Sequence, residues 1–145
     1  MRLLPLLFLL ALLPACGTGS GDAPAGQTMI GDSLVQLALP SPGATVRSPL
    51  RVEGAAVGGY FFEGSFPVRL EDGNGKEIGA APARAAGDWM TEEWVGYTAT
   101  LDFTDPTTET GTLIIERDNP SGLEGNAHRL RVPVRFQTAA SVTER

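Results

Sequence analysis

The chain alternates apolar and polar residues with a period of two, and this pattern constrains its fold more than any other feature. The apolar members of the four clearest segments are Phe66/Val68/Leu70, Val95/Tyr97/Ala99/Leu101/Phe103, Leu113/Ile115 and Leu130/Val132/Val134/Phe136. Successive side chains of a β-strand point to opposite faces, so each segment predicts a strand with one buried and one solvated face. Residues 34–39, 50–52 and 76–80 are shorter candidates.

These segments predict about seven strands, separated by turn residues, and therefore an all-β fold made of two antiparallel sheets packed as a sandwich. The 18 glycines and 11 prolines suit a chain with many turns. Residues 71–76, Glu-Asp-Gly-Asn-Gly-Lys, predict a hairpin turn. Pro133 lies inside the last predicted strand and has no N–H to donate, so we expect it at a sheet edge or a bulge.

The amino terminus predicts export and lipid anchoring. Met1-Arg2 precedes a short apolar run, as in a secretory signal peptide, and this run is shorter than the roughly 20 residues of a membrane-spanning helix. Leu13-Pro14-Ala15-Cys16 resembles the bacterial lipobox, although a small or β-branched residue is more usual where Pro14 stands. We therefore expect residues 1–15 to be removed and Cys16 to carry the acyl chains. An ordinary signal peptide beside an unrelated cysteine is the alternative.

Cys16 is the only cysteine, which rules out an intramolecular disulfide, a cysteine zinc site and an iron–sulfur cluster. We expect residues 16–33 to form a flexible tether, 34–136 the folded domain and 137–145 a polar tail. Gly17 is not the aspartate that, by resemblance to Gram-negative lipoproteins, retains a protein at the inner membrane. In a cell with two membranes we therefore expect the outer one, with the domain facing the periplasm or the surface.

The net charge of the chain limits the kinds of partner that we expect. Without Arg2 the chain has 17 acidic and 10 basic residues, a formal charge of −7. Such a protein is a poor match for nucleic acid or for anionic lipid headgroups, so we expect no nucleic-acid partner. Membrane contact is then left to the acyl chains.

Five short segments, in order, carry a family resemblance. They are 40–56 (PSPGATVRSPLRVEGAA), 62–64 (FEG), 68–75 (VRLEDGNG), 87–91 (GDWMT) and 118–122 (DNPSG). Together they resemble the immunoglobulin-like domain of bacterial spore germination, also described as the second domain associated with GerMN, over about residues 35–136. The resemblance implies an immunoglobulin-like β-sandwich without established catalytic residues or cofactors. In its best-known setting this domain accompanies a GerMN domain, whereas here it follows a lipid anchor.

The candidate contact surface is aromatic. The chain places five aromatic residues in or near loops: Tyr60, Phe61, Phe62, Trp89 and Trp94. We predict that Tyr60, Phe61 and Trp94 form a binding surface, because a pair of glycines precedes Tyr60 and lets the loop present the rings. The alternative is that some rings, Phe62 and Trp89 first, fill a core that no disulfide supports.

Other candidate chemistry is weaker. His128, the single histidine, has no partner that the sequence identifies, so a surface position at a strand end is the simpler expectation. The carboxylate pairs 92/93, 102/105 and 71/72 could serve a glycoside hydrolase, but nothing in the sequence brings a pair together. Asp72, Asn74 and Asp118 are possible calcium ligands in loops, although their glycine-rich context favours tight turns, and we predict no metal site.

The sequence therefore predicts a non-catalytic envelope lipoprotein whose domain binds another protein or a cell-wall glycan, without a cofactor. Two alternatives remain open at this point. One is a structural spacer stabilised by calcium, and the other is a small hydrolase that acts on glycan through paired carboxylates.

Overall fold

The computed structural model describes residues 28–104 and 106–137. These residues form nine β-strands and two short 3₁₀ turns. The strands are β1 (Ile30–Gly31), β2 (Val35–Leu39), β3 (Thr45–Val46), β4 (Leu50–Val57), β5 (Ser65–Asp72), β6 (Glu77–Ala85), β7 (Trp94–Leu101), β8 (Thr110–Glu116) and β9 (Arg129–Phe136). The turns cover Gly58–Tyr60 and Glu124–Asn126. The all-β prediction is confirmed.

One continuous hydrogen-bonded sheet contains all nine strands, in the order β1-β2-β4-β7-β6-β5-β8-β9-β3. Every pair is antiparallel except β3 with β9. Only two residue pairs, Arg84 with Thr98 and Ala85 with Tyr97, join β6 to β7. The sheet curls on itself, where the sequence predicted two separate sheets. The two strands beyond the predicted seven, β1 and β3, have two residues each, too few to show alternation.

The core lies inside this curled sheet, where the alternating residues of facing strands meet. Phe66, Val68 and Leu70 are all at most 1% exposed, as their spacing predicted. Tyr97 crosses Gly54 on β4, and its hydroxyl donates a hydrogen bond of 3.0 Å to the carbonyl of Gln36. A Cβ on Gly54 would lie 2.5 Å from that hydroxyl, so only glycine leaves room for the ring.

The predicted hairpin turn joins β5 to β6 and is held by Asp72. Its carboxylate accepts hydrogen bonds from the backbone N–H of Asn74 (2.9 Å) and Lys76 (3.0 Å) and from the hydroxyl of Thr107 (2.8 Å). The Thr107 hydroxyl first, and then these backbone donors, lower the pKa of Asp72 despite its burial. Asp72 therefore stabilises the turn as a carboxylate.

Pro133 fits its strand because its nitrogen points away from β8. Its carbonyl accepts a hydrogen bond of 2.7 Å from the N–H of Gly43, on the β3 side of β9. The nitrogen and carbonyl of one strand residue point to the same side, so the missing N–H falls outside the ladder with β8. On that side β9 pairs only at Arg135 and Phe136, with the two-residue strand β3, so β9 lies next to the edge strand and is not itself the edge that the sequence predicted.

The solvent-facing side of β5, β8 and β9 forms a surface that we call the arginine face. It consists of Arg69, Glu71, Ile114, Glu116, Arg129 and Arg131. Glu116 pairs with Arg69 and with Arg129 (2.8 Å), and Glu71 pairs with Arg131 (3.1 Å). Ile114 is 1% exposed although it lies outside the core. Its cross-strand neighbours are Arg69 and Arg131, and we attribute its burial to their aliphatic stems.

Candidate functional site

Two connecting segments pack together at one end of the domain, and we call them the loop end: residues 58–64, between β4 and β5, and residues 86–94, between β6 and the start of β7. The N–H of Gly58 donates a hydrogen bond of 3.2 Å to the carbonyl of Glu93. A Cβ on Gly58 would lie 1.9 Å from the carbonyl oxygen of Thr91, so glycine permits this close approach. The Trp89 indole lies against Gly64, with Nε1 3.2 Å from where a Cβ would stand.

Tyr60 and Phe61 lie in the core, so the prediction that they form a binding surface is wrong. They are 0% and 5% exposed, and each ring packs 5.0 Å from the ring of Phe66, measured between centroids. The physical reason is the 3₁₀ turn at Gly58–Tyr60, which directs Tyr60 inward instead of presenting it to solvent.

Trp94, the third predicted surface residue, is 44% exposed, and two other large apolar side chains of the loop end are exposed with it. Phe62 is 45% exposed and Met90 is 77% exposed. The alternative expectation was right for Trp89, which is partly buried against the core, and wrong for Phe62. The exposed apolar side chains of the loop end are thus Phe62, Met90 and Trp94. The sequence reasoning missed Met90 because a single methionine in a loop carries no periodic signal.

The loop end also carries four exposed carboxylates: Glu63, Asp88, Glu92 and Glu93. None of them forms an ion pair with a described residue. Of the arginines close by, Arg117 donates through Nε to the carbonyl of Gly59 at 3.0 Å, and Arg84 is exposed at the end of β6. The loop end therefore combines exposed apolar side chains with an excess of negative charge.

His128 has partners that the sequence did not reveal. Its Nε2 lies 3.0 Å from a carboxylate oxygen of Asp32, and its Nδ1 lies 3.1 Å from the Tyr60 hydroxyl, which donates to the carbonyl of Ile115 at 3.2 Å. These contacts connect the β1–β2 turn to the core. No local signal could indicate them, since Asp32, Tyr60 and His128 come from three distant parts of the chain.

The pKa shifts of Asp32 and Tyr60 follow from the burial and hydrogen bonds of these side chains. Burial opposes ionisation of Asp32, but hydrogen bonds from the backbone N–H of Leu34 and Val35 and the nearby His128 ring outweigh it, and the pKa of Asp32 is lowered. Burial and the carboxylates of Asp32 and Glu116 raise the pKa of Tyr60. Because the Tyr60 hydroxyl is buried, it is a poor nucleophile for a substrate in solvent.

Two of the three carboxylate pairs considered for hydrolysis, 71/72 and 92/93, are not arranged as a glycosidase needs. Glu71 and Asp72 are consecutive in β5 and point to opposite faces, Glu71 toward Arg131 and Asp72 into the turn. Glu92 and Glu93 are both exposed in a loop. Asp102 is exposed, and Asp105 lies outside the described residues.

The possible calcium ligands do not meet. Asp72 and Asn74 belong to the β5–β6 turn, and the carboxylate of Asp72 already accepts three hydrogen bonds. Asp118 follows β8 at the opposite end of β5, where its N–H bonds to the carbonyl of Tyr60 at 3.3 Å. Within residues 28–104 and 106–137, no group of three or more His, Cys, Asp or Glu side chains could hold a metal ion.

A shallow groove of about 460 Å³ also lies on the outer side of β5 and β6. Pro67 and Pro82, which pair across the two strands, form part of its floor. Its charged side chains are Asp118 and Arg69, and Arg69 is already paired with Glu116. The groove thus offers few free polar groups to a ligand, and the loop end is the stronger candidate site.

The predicted signal peptide, Cys16 and most of the tether lie outside the described residues, as do residues 138–145. In the part that is described, no helix has the length and apolar character needed to cross a membrane.

Comparison with models of protein families tests the predicted fold and the resemblance that the five sequence segments carry. The model of the immunoglobulin-like domain of bacterial spore germination matches residues 34–124, which is more than half of the chain. The chain belongs to this family. The spore-germination immunoglobulin-like domain accounts for the strands from β2 to β8 and for both segments of the loop end. Comparisons with curated proteins and with solved structures find no significant match.

Proposed function

We propose that this chain is a non-catalytic, lipid-anchored protein of the bacterial envelope whose immunoglobulin-like domain binds a protein or glycan through the loop end. In this proposal the curled sheet serves as the two-layered sandwich of the immunoglobulin-like fold. The family description names spore germination, and the proposal does not depend on a role in spores.

The exposed apolar group at the loop end carries this proposal. Phe62, Met90 and Trp94 expose 45%, 77% and 44% of their surface on two segments that contact each other. Single exposed apolar residues are ordinary, whereas a group of large ones in packed loops is typical of a contact surface. Burial of Tyr60 and of most of Trp89 holds these loops in place, which reduces the entropy that a ligand has to remove.

The anchor rests on the amino-terminal sequence. Residues 1–15 resemble a lipoprotein signal peptide followed by Cys16, and the polar, glycine-rich residues that come next suit a tether. Acylation with more than one chain holds a protein stably on a membrane without any spanning helix. The ligand would then be a molecule of the envelope, within reach of a small domain on a short tether.

The absence of an enzymatic role is also part of the proposal. It is supported by the arrangement of Glu71 and Asp72 on opposite faces and by the buried Tyr60 hydroxyl beside His128. A calcium-stabilised spacer is the weaker alternative, because Asp72 and Asp118 lie at opposite ends of β5. Chelation with EDTA separates the two: the spacer predicts a lower melting temperature, and the binding module predicts no change.

The anchor is tested by expressing the full chain and its Cys16→Ser variant in a bacterial host supplied with a labelled fatty acid. We expect the wild type to incorporate the label and to sediment with membranes. The variant should do neither. Lipidation would be contradicted if the wild type took up no label and sedimented with membranes to the same extent as the variant.

The binding surface is tested by photo-crosslinking in the producing cells. A photoreactive amino acid replaces Met90 in the full-length chain, and the control places it at Glu109, which is exposed just before β8 at the other end of the domain. We expect one defined adduct from position 90 that position 109 does not form. Identical adducts from both positions, or none from position 90, would contradict the proposal.

A further inference from the structure

We infer that the loop end binds a basic segment of another protein that inserts an apolar side chain. This inference rests on the proposed binding function and names its partner class. It follows from the charges around the exposed apolar group, from the kinds of side chain in that group and from the packing of the two loops against each other.

The carboxylates of the loop end differ from those of the strands in their ion pairing. On the strand faces the described glutamates Glu53, Glu71, Glu77 and Glu116 each have an arginine within ion-pair distance. The carboxylates of the loop end, at positions 63, 88, 92 and 93, have no such partner among the described residues. Lysine or arginine side chains of a ligand would complement them, which steers association and selects against acidic partners.

The apolar side chains favour a protein over a sugar. Sugars are recognised mainly by stacking on flat aromatic faces, whereas the most exposed apolar residue here is Met90. Methionine is unbranched and polarizable, and it adapts to the irregular apolar surfaces of protein partners. Phe62 and Trp94 are exposed on the same two packed loops, so together with Met90 they can contribute to a site for one apolar anchor residue.

Trp89 and the glycines explain why this surface keeps its shape. The indole of Trp89 packs against Gly64 and the core, which leaves the next residue, Met90, exposed. Gly58 allows its segment to approach the backbone of Thr91 and to bond to Glu93. The surface is therefore largely formed before a partner arrives.

The chain itself supplies a direct reporter. Its two tryptophans, Trp89 and Trp94, both belong to the loop end, so selectively excited tryptophan fluorescence reports on this region of the domain. The test titrates the purified mature chain with three probes. These are a synthetic peptide of alternating lysine and leucine, the same peptide with glutamate for lysine, and an oligomer of N-acetylglucosamine.

We expect a saturable change of tryptophan emission with the lysine peptide only, with an affinity that falls as salt rises. Glu92→Lys should weaken binding about tenfold, because it replaces an attraction by a repulsion. Glu109→Lys, which makes the same change of charge at the other end of the domain, should leave the affinity within about twofold. Met90→Ser should weaken binding, whereas Met29→Ser, at an exposed methionine outside the loop end, should not.

Three results would overturn the inference. One is an equal loss of affinity for Glu92→Lys and Glu109→Lys, which would indicate attraction to the overall charge. Another is a response to the N-acetylglucosamine oligomer alone, and the third is no response to the lysine peptide. The crosslink from position 90 distinguishes failure of this inference from failure of the proposed function. An adduct with a glycan or an acidic protein would contradict the inference and leave the binding function standing, whereas the absence of any adduct would contradict both.

Discussion

The loop end and the arginine face use the same kinds of residue in opposite ways. On the arginine face every glutamate is paired and the one large apolar side chain, Ile114, is 1% exposed. At the loop end the carboxylates lack ion-pair partners among the described residues, and Phe62 and Met90 face solvent. The first surface satisfies its own groups, and the second leaves apolar and charged groups available to another molecule. This difference supports the proposal that the loop end, and not the arginine face, is the contact surface.

The largest effect is expected from a comparison of two aromatic residues that are close in the sequence, Tyr60 and Phe62. Tyr60→Ala should lower the free energy of unfolding by about 3–5 kcal/mol, because it removes a fully buried ring from the core. Phe62→Ala should lower it by about 1 kcal/mol or less, since the residue is 45% exposed. Urea unfolding followed by far-UV circular dichroism measures both. Similar losses for the two variants would show that Phe62 supports the fold and is not free for binding.

The next prediction concerns the apolar residue of the arginine face. Ile114→Ala should lower the free energy of unfolding by about 2–3 kcal/mol, because the arginine stems that cover the side chain would lose their apolar support. Met90→Ala, at the loop end, is the control and should cost less than about 0.5 kcal/mol. Thermal unfolding checks both. A cost for Ile114→Ala as small as that for Met90→Ala would remove the contrast between the surfaces.

A smaller effect is expected at Asp72, a carboxylate that the fold uses. Asp72→Asn should lower the melting temperature at pH 7, by less than Ile114→Ala does. The pKa of Asp72 is lowered in the folded chain, so its stabilisation is present above the ordinary pKa of 3.8 and is lost as the pH falls through the lowered value. The gap between wild type and variant should therefore narrow below about pH 4. A gap that stays constant to pH 2 would contradict this role.

The smallest effects are expected from the solvent-facing carboxylates Glu71 and Glu92. Glu71→Gln breaks the ion pair with Arg131 and should cost about 0–1 kcal/mol. Glu92→Gln, at the loop end, should cost less than about 0.5 kcal/mol, because no described residue pairs with it. Chemical unfolding at low and high salt measures the two variants. A salt-sensitive loss for Glu92→Gln would reveal a partner inside the fold and weaken the argument that this charge serves a ligand.

Much of the fold was predictable because alternation is a local property. It identified the buried sides of β5, β7 and β9 and, with the turn residues 71–76, the β5–β6 hairpin. It underestimated β4, because residues 53–56, Glu-Gly-Ala-Ala, are too small to alternate visibly. It could not show that β6 bonds to β7, since two residue pairs leave no pattern in the sequence.

The candidate site was harder to predict because exposure depends on contacts between distant segments. Three consecutive aromatic residues, Tyr60, Phe61 and Phe62, look alike in the sequence, yet a 3₁₀ turn buries the first two and exposes the third. His128 likewise looked isolated until the fold placed Asp32 and Tyr60 beside it. Trp94 is exposed, as a surface residue has to be, because it begins a strand on the polar parity.

The central claim is that the loop end, and not the arginine face, binds the ligand. The most direct test uses the ligand that the crosslink from position 90 identifies. It measures the affinity of that ligand for three proteins: the wild type, the double variant Phe62→Ser/Met90→Ser and the variant Arg131→Ala. The account predicts a loss of about tenfold or more for the loop-end variant with unchanged stability, and a change within about twofold for Arg131→Ala. A loop-end variant that binds as tightly as wild type, or a larger loss for Arg131→Ala, would contradict it.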